Sequence, residues 1–161
     1  MKNSILEAKM RKINYLILGF SVLTSTVGFA GNEHLPVGAR SAGVAHSSVT
    51  FADQWSVFQN QAGLGRLKEI SAGVYYENRF LINSFSTGAI AAAIPTKSGT
   101  FGLSVYTFGF TNYRESKIGL AYGRQLGEKI TAGLQLNYLS TVLPESYGIF
   151  NGFTAALGLQ A

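Results

Sequence analysis

The sequence predicts an all-β protein, an antiparallel up-and-down transmembrane β-barrel present in part as about six strands and preceded by an N-terminal segment. Three observations predict it. Apolar and polar residues alternate with period two through most of the chain after residue 69, and successive side chains of a strand point to opposite faces. Charged residues make up only 13% of the chain, about half the roughly 25% of an ordinary globular domain. Glycine (19) and aromatic residues (12%) are abundant while proline is scarce (3), which suits strands that show one face to something apolar.

Residues 1–30 read as a secretory signal peptide. Met10-Arg11-Lys12 opens a short positive region, and the apolar run Tyr15-Leu16-Ile17-Leu18-Gly19-Phe20-Ser21-Val22-Leu23 follows. Gly28 and Ala30 place small residues where signal peptidase reads them, so cleavage is expected after Ala30. Met10 offers an alternative start, since residues 10–30 alone have signal-peptide proportions. A retained membrane helix is the competing reading. It needs about 20 mostly apolar residues, and Asn14, Ser21, Thr24, Ser25 and Thr26 interrupt the run.

The formal charge of +5 does not mark a nucleic-acid partner. Four basic residues and one acidic residue lie in the first 30, a net of +3. The remaining 131 residues hold nine basic and seven acidic side chains, a net of +2, scattered without a basic stripe. Neutralising several phosphates requires clustered Lys and Arg. The absence of cysteine removes disulfide frameworks, thiolate metal sites and a lipoprotein anchor.

Residues 31–68 form an N-terminal periplasmic or lumenal segment, and residues 69–161 the first strands of an incomplete barrel. Residues 130–138 carry the clearest strand: Ile130, Ala132, Leu134, Leu136 and Tyr138 share one face, and Thr131, Gly133, Gln135 and Asn137 the other. Residues 152–161, 117–125 and 70–77 repeat the pattern. Residues 84–94 and 100–110 are strands with weaker alternation. Lengths of nine to eleven residues match a tilted membrane strand.

The connections at 95–99 and 127–129 are compact, while those at 78–83, 111–115 and 143–149 are longer, as expected for periplasmic turns and extracellular loops. Tyr76, Tyr106, Phe108, Phe110, Tyr113, Tyr138, Tyr147 and Phe150 are expected to form an interfacial girdle at the outer strand ends; the alternative is the core of a soluble β-sandwich. Six strands cannot close a membrane barrel, which begins at eight in single bacterial chains, so the sequence is expected to be an N-terminal fragment, the alternative being several copies that share one barrel.

Gly38-Ala39-Arg40-Ser41-Ala42-Gly43-Val44-Ala45 lies between the signal and the first strand. Ala52-Asp53-Gln54-Trp55-Ser56-Val57-Phe58-Gln59-Asn60-Gln61-Ala62-Gly63-Leu64 follows it. The two stretches resemble the N-terminal segment of the FadL-like outer-membrane family, on its branch of type IX secretion proteins PorV and PorQ. Members of that branch show a GAR-[SA]-A-G-[MV] opening and an N-P-A-G-L motif before the first strand. Gln61 stands where the family has proline. Tyr113-Arg114-Glu115-Ser116-Lys117-Ile118-Gly119-Leu120-Ala121-Tyr122 is also similar to this branch.

The resemblance implies a fourteen-stranded barrel whose N-terminal segment is plug-like and sits inside it. It marks Gly38, Ala39, Arg40, Asn60, Ala62, Gly63 and Leu64 as the motif residues of that plug. It implies an outer-membrane location, lipid as surroundings, and a non-enzymatic accessory or structural role toward secretion-system or surface proteins. Passive transport of hydrophobic small molecules is the alternative.

No catalytic, metal or cofactor site is expected. His34 and His46 are the only histidines, and His46-Ser47-Ser48 with Asp53 supply the residue types of a hydrolase without a nucleophile-elbow sequence. Arg40 and Asp53 either pair with each other or stand solvated. Trp55 and Phe58 are expected to pack the plug, and Glu77, Lys117 and Gln125 to face the lumen, where polar residues are the default.

Overall fold

The computed structural model describes residues 37–110, 113–144 and 148–161, all of which belong to one compact unit, Asn32–Ala161. The expected signal peptide, His34 and Tyr147 lie outside the described residues.

Six strands pair antiparallel in strict chain order: β1 (Ser71–Asn78), β2 (Ser86–Pro95), β3 (Thr100–Phe110), β4 (Tyr113–Gln125), β5 (Thr131–Val142) and β6 (Ile149–Gln160). The described residues are therefore mostly antiparallel β-sheet, an all-β framework as the period-two alternation predicts. Ahead of the sheet come a one-turn helix α1 (Ala39–Gly43) and two 3-10 helices, η1 (Gln54–Phe58) and η2 (Gln61–Arg66). Two 3-10 turns, η3 (Arg79–Leu81) and η4 (Asn83–Phe85), connect β1 to β2.

The two faces of the sheet are chemically opposite. One is covered by the N-terminal segment and carries small and polar side chains. Two of its rows run Gly102, Ala121, Gln135, Ala156 and Ser104, Gly119, Asn137, Thr154 across β3 to β6. The other face is apolar and open. Its rows run Leu103, Leu120, Leu136, Ala155 and Phe101, Tyr122, Leu134, Leu157. Leu136 is 62% exposed, Phe153 83% and Leu157 88%. Cross-strand ring pairs knit this face together: Phe101 with Tyr122 at 5.1 Å and Tyr138 with Phe153 at 5.3 Å between centroids, a geometry in which aromatic pairs add about 0.5–1.5 kcal/mol beyond their burial.

Burial is concentrated where the segment meets the sheet. Val37, Val57, Phe58 and Leu64 pack on Ala89, Ala91, Ala93, Tyr106 and Ala121. Burying each of the four larger segment side chains contributes roughly 1.5–3 kcal/mol. The alanines of β2 are what let the segment come close: their methyl groups raise the sheet surface little.

Several strand ends differ from the sequence reading. β4 begins at Tyr113 rather than at 117, β5 runs on to Val142 rather than 138, and β6 begins at Ile149 rather than 152. The start of β4, Tyr113-Arg114-Glu115-Ser116, carries polar and charged residues, with Phe108 opposite Glu115 and Arg114 opposite Val142. Those side chains break the alternation while the main-chain ladder, which needs no particular side chain, continues. The expected long loop at 111–115 is accordingly reduced to the two residues between Phe110 and Tyr113. The connections 79–85 and 143–148 at the same end are long, and 96–99 and 126–130 at the other end are compact.

The girdle expectation is corrected at five aromatics, of which Phe110 and Phe150 fall on the covered side opposite Tyr113 and Thr141. Tyr106 and Phe108 share the covered face with Ser104, and Tyr106 is buried against Phe58 at 6.5 Å. Tyr113 shares the face of Glu115 and donates its hydroxyl to that carboxylate. Tyr76 and Tyr138 do lie on the open face.

Candidate functional site

The N-terminal segment is a chain of local caps. Asp53 accepts from the Trp55 backbone N–H at 2.9 Å, and the Asp53 backbone N–H donates to Ser56 Oγ at 3.3 Å, a reciprocal capping box that starts η1. Ser56 Oγ in turn donates to the Phe51 carbonyl at 2.9 Å. Asn60 then caps η2, its side-chain oxygen accepting from Ala62 N–H at 3.2 Å. The cap places Gln61 at the first helical position, where the N–H has no partner within the helix and proline is tolerated. The turn therefore forms with glutamine because Asn60 organises it.

The caps hold Trp55 and Phe58 in line along the sheet. Trp55 lies edge-on to Tyr75 at 6.1 Å and tilted to Phe58 at 6.2 Å. Both rings pack the segment onto the covered face, the role expected of them.

Main chain carries the closest approach. The register aligns Gly123, Gly133 and Gly158 in one row across β4, β5 and β6, and the turn from Asn60 to Leu64 lies in the trough they leave. A Cβ on Gly123 would stand 2.6 Å from Gln61 O, one on Gly133 2.7 Å from Ala62 N, and one on Gly158 would press into Asn60 Oδ1. Real Cβ atoms do not approach that near, so any side chain along the row would lift the turn from the sheet. A Cβ on Gly65 would meet β4 as closely from the segment's side, at 2.7 Å from the Arg124 carbonyl carbon.

Strand β6 clamps this seat with two amide side-chain bonds. Asn60 Nδ2 donates to the Leu159 carbonyl at 3.1 Å, and Gln160 Nε2 donates to the Thr50 carbonyl at 2.6 Å. Beside the seat a buried amide network crosses the sheet. Gln135 Nε2 donates to Asn137 Oδ1 at 2.6 Å and to Ser104 Oγ at 3.3 Å, and Asn137 Nδ2 donates to Thr154 Oγ1 at 3.3 Å.

The structure brings the predicted motif residues into one body. Asn60, Ala62, Gly63 and Leu64 form the seated turn, with Ala62, Gly63 and Leu64 buried. Gly38 adopts φ 109°, and a Cβ there would press on the Trp55 ring at 3.2 Å. Ala39 and Arg40 lie in α1. Arg40 pairs with Asp53 at 3.5 Å and stacks 4.1 Å above the Phe51 ring. Its side chain is 65% exposed against 19% for Asp53, so the bond is partly solvated and adds little.

The hydrolase residue types are not assembled. His46 Nδ1 lies 3.5 Å from Ser41 Oγ, at the limit of a hydrogen bond, while Ser48 is joined to Ser41 at 2.5 Å. Asp53 is engaged by Trp55 and Arg40 rather than by His46. Glu77 lies on the covered face as expected, receives Tyr75 OH at 2.8 Å and pairs with Arg79 at 3.1 Å. Lys117 shares that face, between Tyr106 and Leu139 in the register. Gln125 shares that face as well, opposite Thr131 in the register, and donates to the Glu128 carbonyl at 3.4 Å. The glycine row, Gln160 and the Gln135–Asn137 pair were not singled out from sequence as parts of one site, because glycines 10 and 25 residues apart become neighbours only through register.

Comparison with models of protein families, with curated proteins and with solved structures finds no match for this chain.

Proposed function

We propose that this chain forms part of the wall of an outer-membrane β-barrel, with the N-terminal segment as a fixed plug and a non-enzymatic accessory or structural role. The observation that carries this reading is the inverted polarity of the sheet. Its apolar rows are open and its polar, glycine-rich rows are covered, the reverse of a water-soluble sandwich, whose sheets bury their apolar faces against each other. An open apolar face of this extent is stable against hydrocarbon and a liability in water. Among the described residues the end strands β1 and β6 each have one neighbour. In lipid an unpaired edge costs several kcal/mol for each unsatisfied backbone group, so the reading requires that both edges pair in the assembled wall.

A structural role is preferred over transport because main chain fills the trough along the glycine row. Attachment or secretion partners are suggested by the Gly38-Ala39-Arg40 and Asn60-to-Leu64 motifs. Fractionation of cell envelopes tests the location, and release into the soluble fraction without detergent would sink it. A deletion strain tests the role: lost secretion or surface attachment with intact uptake of hydrophobic compounds supports it, and the opposite result overturns it.

A further inference from the structure

The connection between β1 and β2 presents apolar side chains that the sheet does not use. Phe80 is 84% exposed and Leu81 92%, and Ile82 and Phe85 are exposed as well. Phe80 and Leu81 also sit consecutively in the left-handed region, at φ 58° and 57°. That conformation suits glycine or asparagine, and bulky side chains there are strained. Strain of this kind persists only where the surroundings impose it.

Both flanks of the loop do so. On the β1 side Arg79 is tied to Glu77, which is tied in turn to Tyr75. On the β2 side η4 packs against β3. Ile82 N donates to Arg79 O at 3.2 Å and Phe85 N to Ile82 O at 2.9 Å, closing the two turns. The tip is thus held out.

We infer that Phe80 and Leu81 form a membrane-interface anchor, inserted at the boundary between lipid headgroups and acyl chains beside the strand end. The inference rests on the proposed barrel reading and adds a contact that a sheet wall alone does not require. Continuity decides the occupant. Val74 and Tyr76, with Ile70 just ahead of the strand, form an exposed column along the open face of β1, and the tip begins two residues after that strand ends. Chemistry points the same way. Phe80, Leu81, Ile82 and Phe85 offer no polar side-chain atom, whereas protein partners are recognised with about one hydrogen bond per 100–200 Å². Hydrocarbon asks for none, and aromatic residues gather at this depth in membrane proteins.

Single-tryptophan variants separate the two claims. Trp55 is the only tryptophan, so Trp55→Phe supplies a dark background into which Phe80→Trp, Leu81→Trp or Phe153→Trp is introduced. Each full-length protein is reconstituted into phosphatidylcholine vesicles with ordinary or brominated acyl chains. The expected result is blue-shifted emission and loss of intensity in brominated lipid at both the tip and Phe153→Trp. Quenching at Phe153→Trp with water-like, unquenched emission at both tip positions overturns the anchor and leaves the barrel reading standing. No quenching at any position overturns both. Quenching at the tip alone upholds the anchor and removes the sheet from the membrane. Blue-shifted tip emission that brominated lipid does not quench places the tip against protein and overturns the inference.

Discussion

Gly133 sits in the middle of the glycine row, and Gly133→Ala adds one methyl group at the point where the segment is nearest. The new Cβ would lie 2.7 Å from Ala62 N, well inside normal contact, and its flanking strands hold it there through Gly123 and Gly158. Either the Asn60–Leu64 turn rises or the strand shifts. Overpacking of this kind costs about 1–3 kcal/mol. The comparison is Gly152→Ala in β6, where nothing lies within 4 Å of the added Cβ. There the smaller entropy of the unfolded chain should stabilise by about 0.4–1 kcal/mol. The two substitutions are chemically identical and opposite in expected sign. Urea unfolding followed through Trp55, which lies against Phe58 and Tyr75, reads both stability and the seating of the segment. Equal stabilities for the two variants, with unchanged Trp55 emission, would refute the close-packed seat.

Asn60→Ala removes both a helix cap and the donor to Leu159, so a loss of about 1–3 kcal/mol is expected by the same unfolding assay. Asn60→Asp keeps the acceptor for Ala62 N–H and loses only the donor, and should fall between the two. Leu136→Arg on the open face should cost about 2–4 kcal/mol in a bilayer if that row lies near its centre, whereas a water-facing row would tolerate it within about 0.5 kcal/mol; folded yield in vesicles distinguishes the cases. Arg40→Ala should cost less than about 1 kcal/mol, because exposed ion pairs and exposed cation–π contacts are weak. Asp53→Ala should cost more, since it also removes the cap of η1; a larger loss at Arg40 in thermal melts would reverse their assigned importance.

Period-two alternation is a local property, so the number of strands and the polarity of each face were legible in single segments such as Leu134-Gln135-Leu136-Asn137. Parity also held information that aromatic character obscured. Tyr106 and Phe108 stand two and four residues after Ser104, on the covered side, although their rings suggested the outer surface. Strand ends were less legible. At Tyr113-Arg114-Glu115-Ser116 polar side chains occupy both faces, and only pairing with β3 and β5 carries the ladder through them. The motif residues near Asn60 were recognisable by resemblance, but what they rest on was not. Gly123, Gly133 and Gly158 belong to three different strands, and their alignment depends on two independent registers. The sequence by itself determined which side chains share a face, because that follows from the pleat of each strand. Tertiary structure alone decided which face is covered, by what, and at which three glycines the main chain comes closest, because those follow from pairings between residues far apart in the chain.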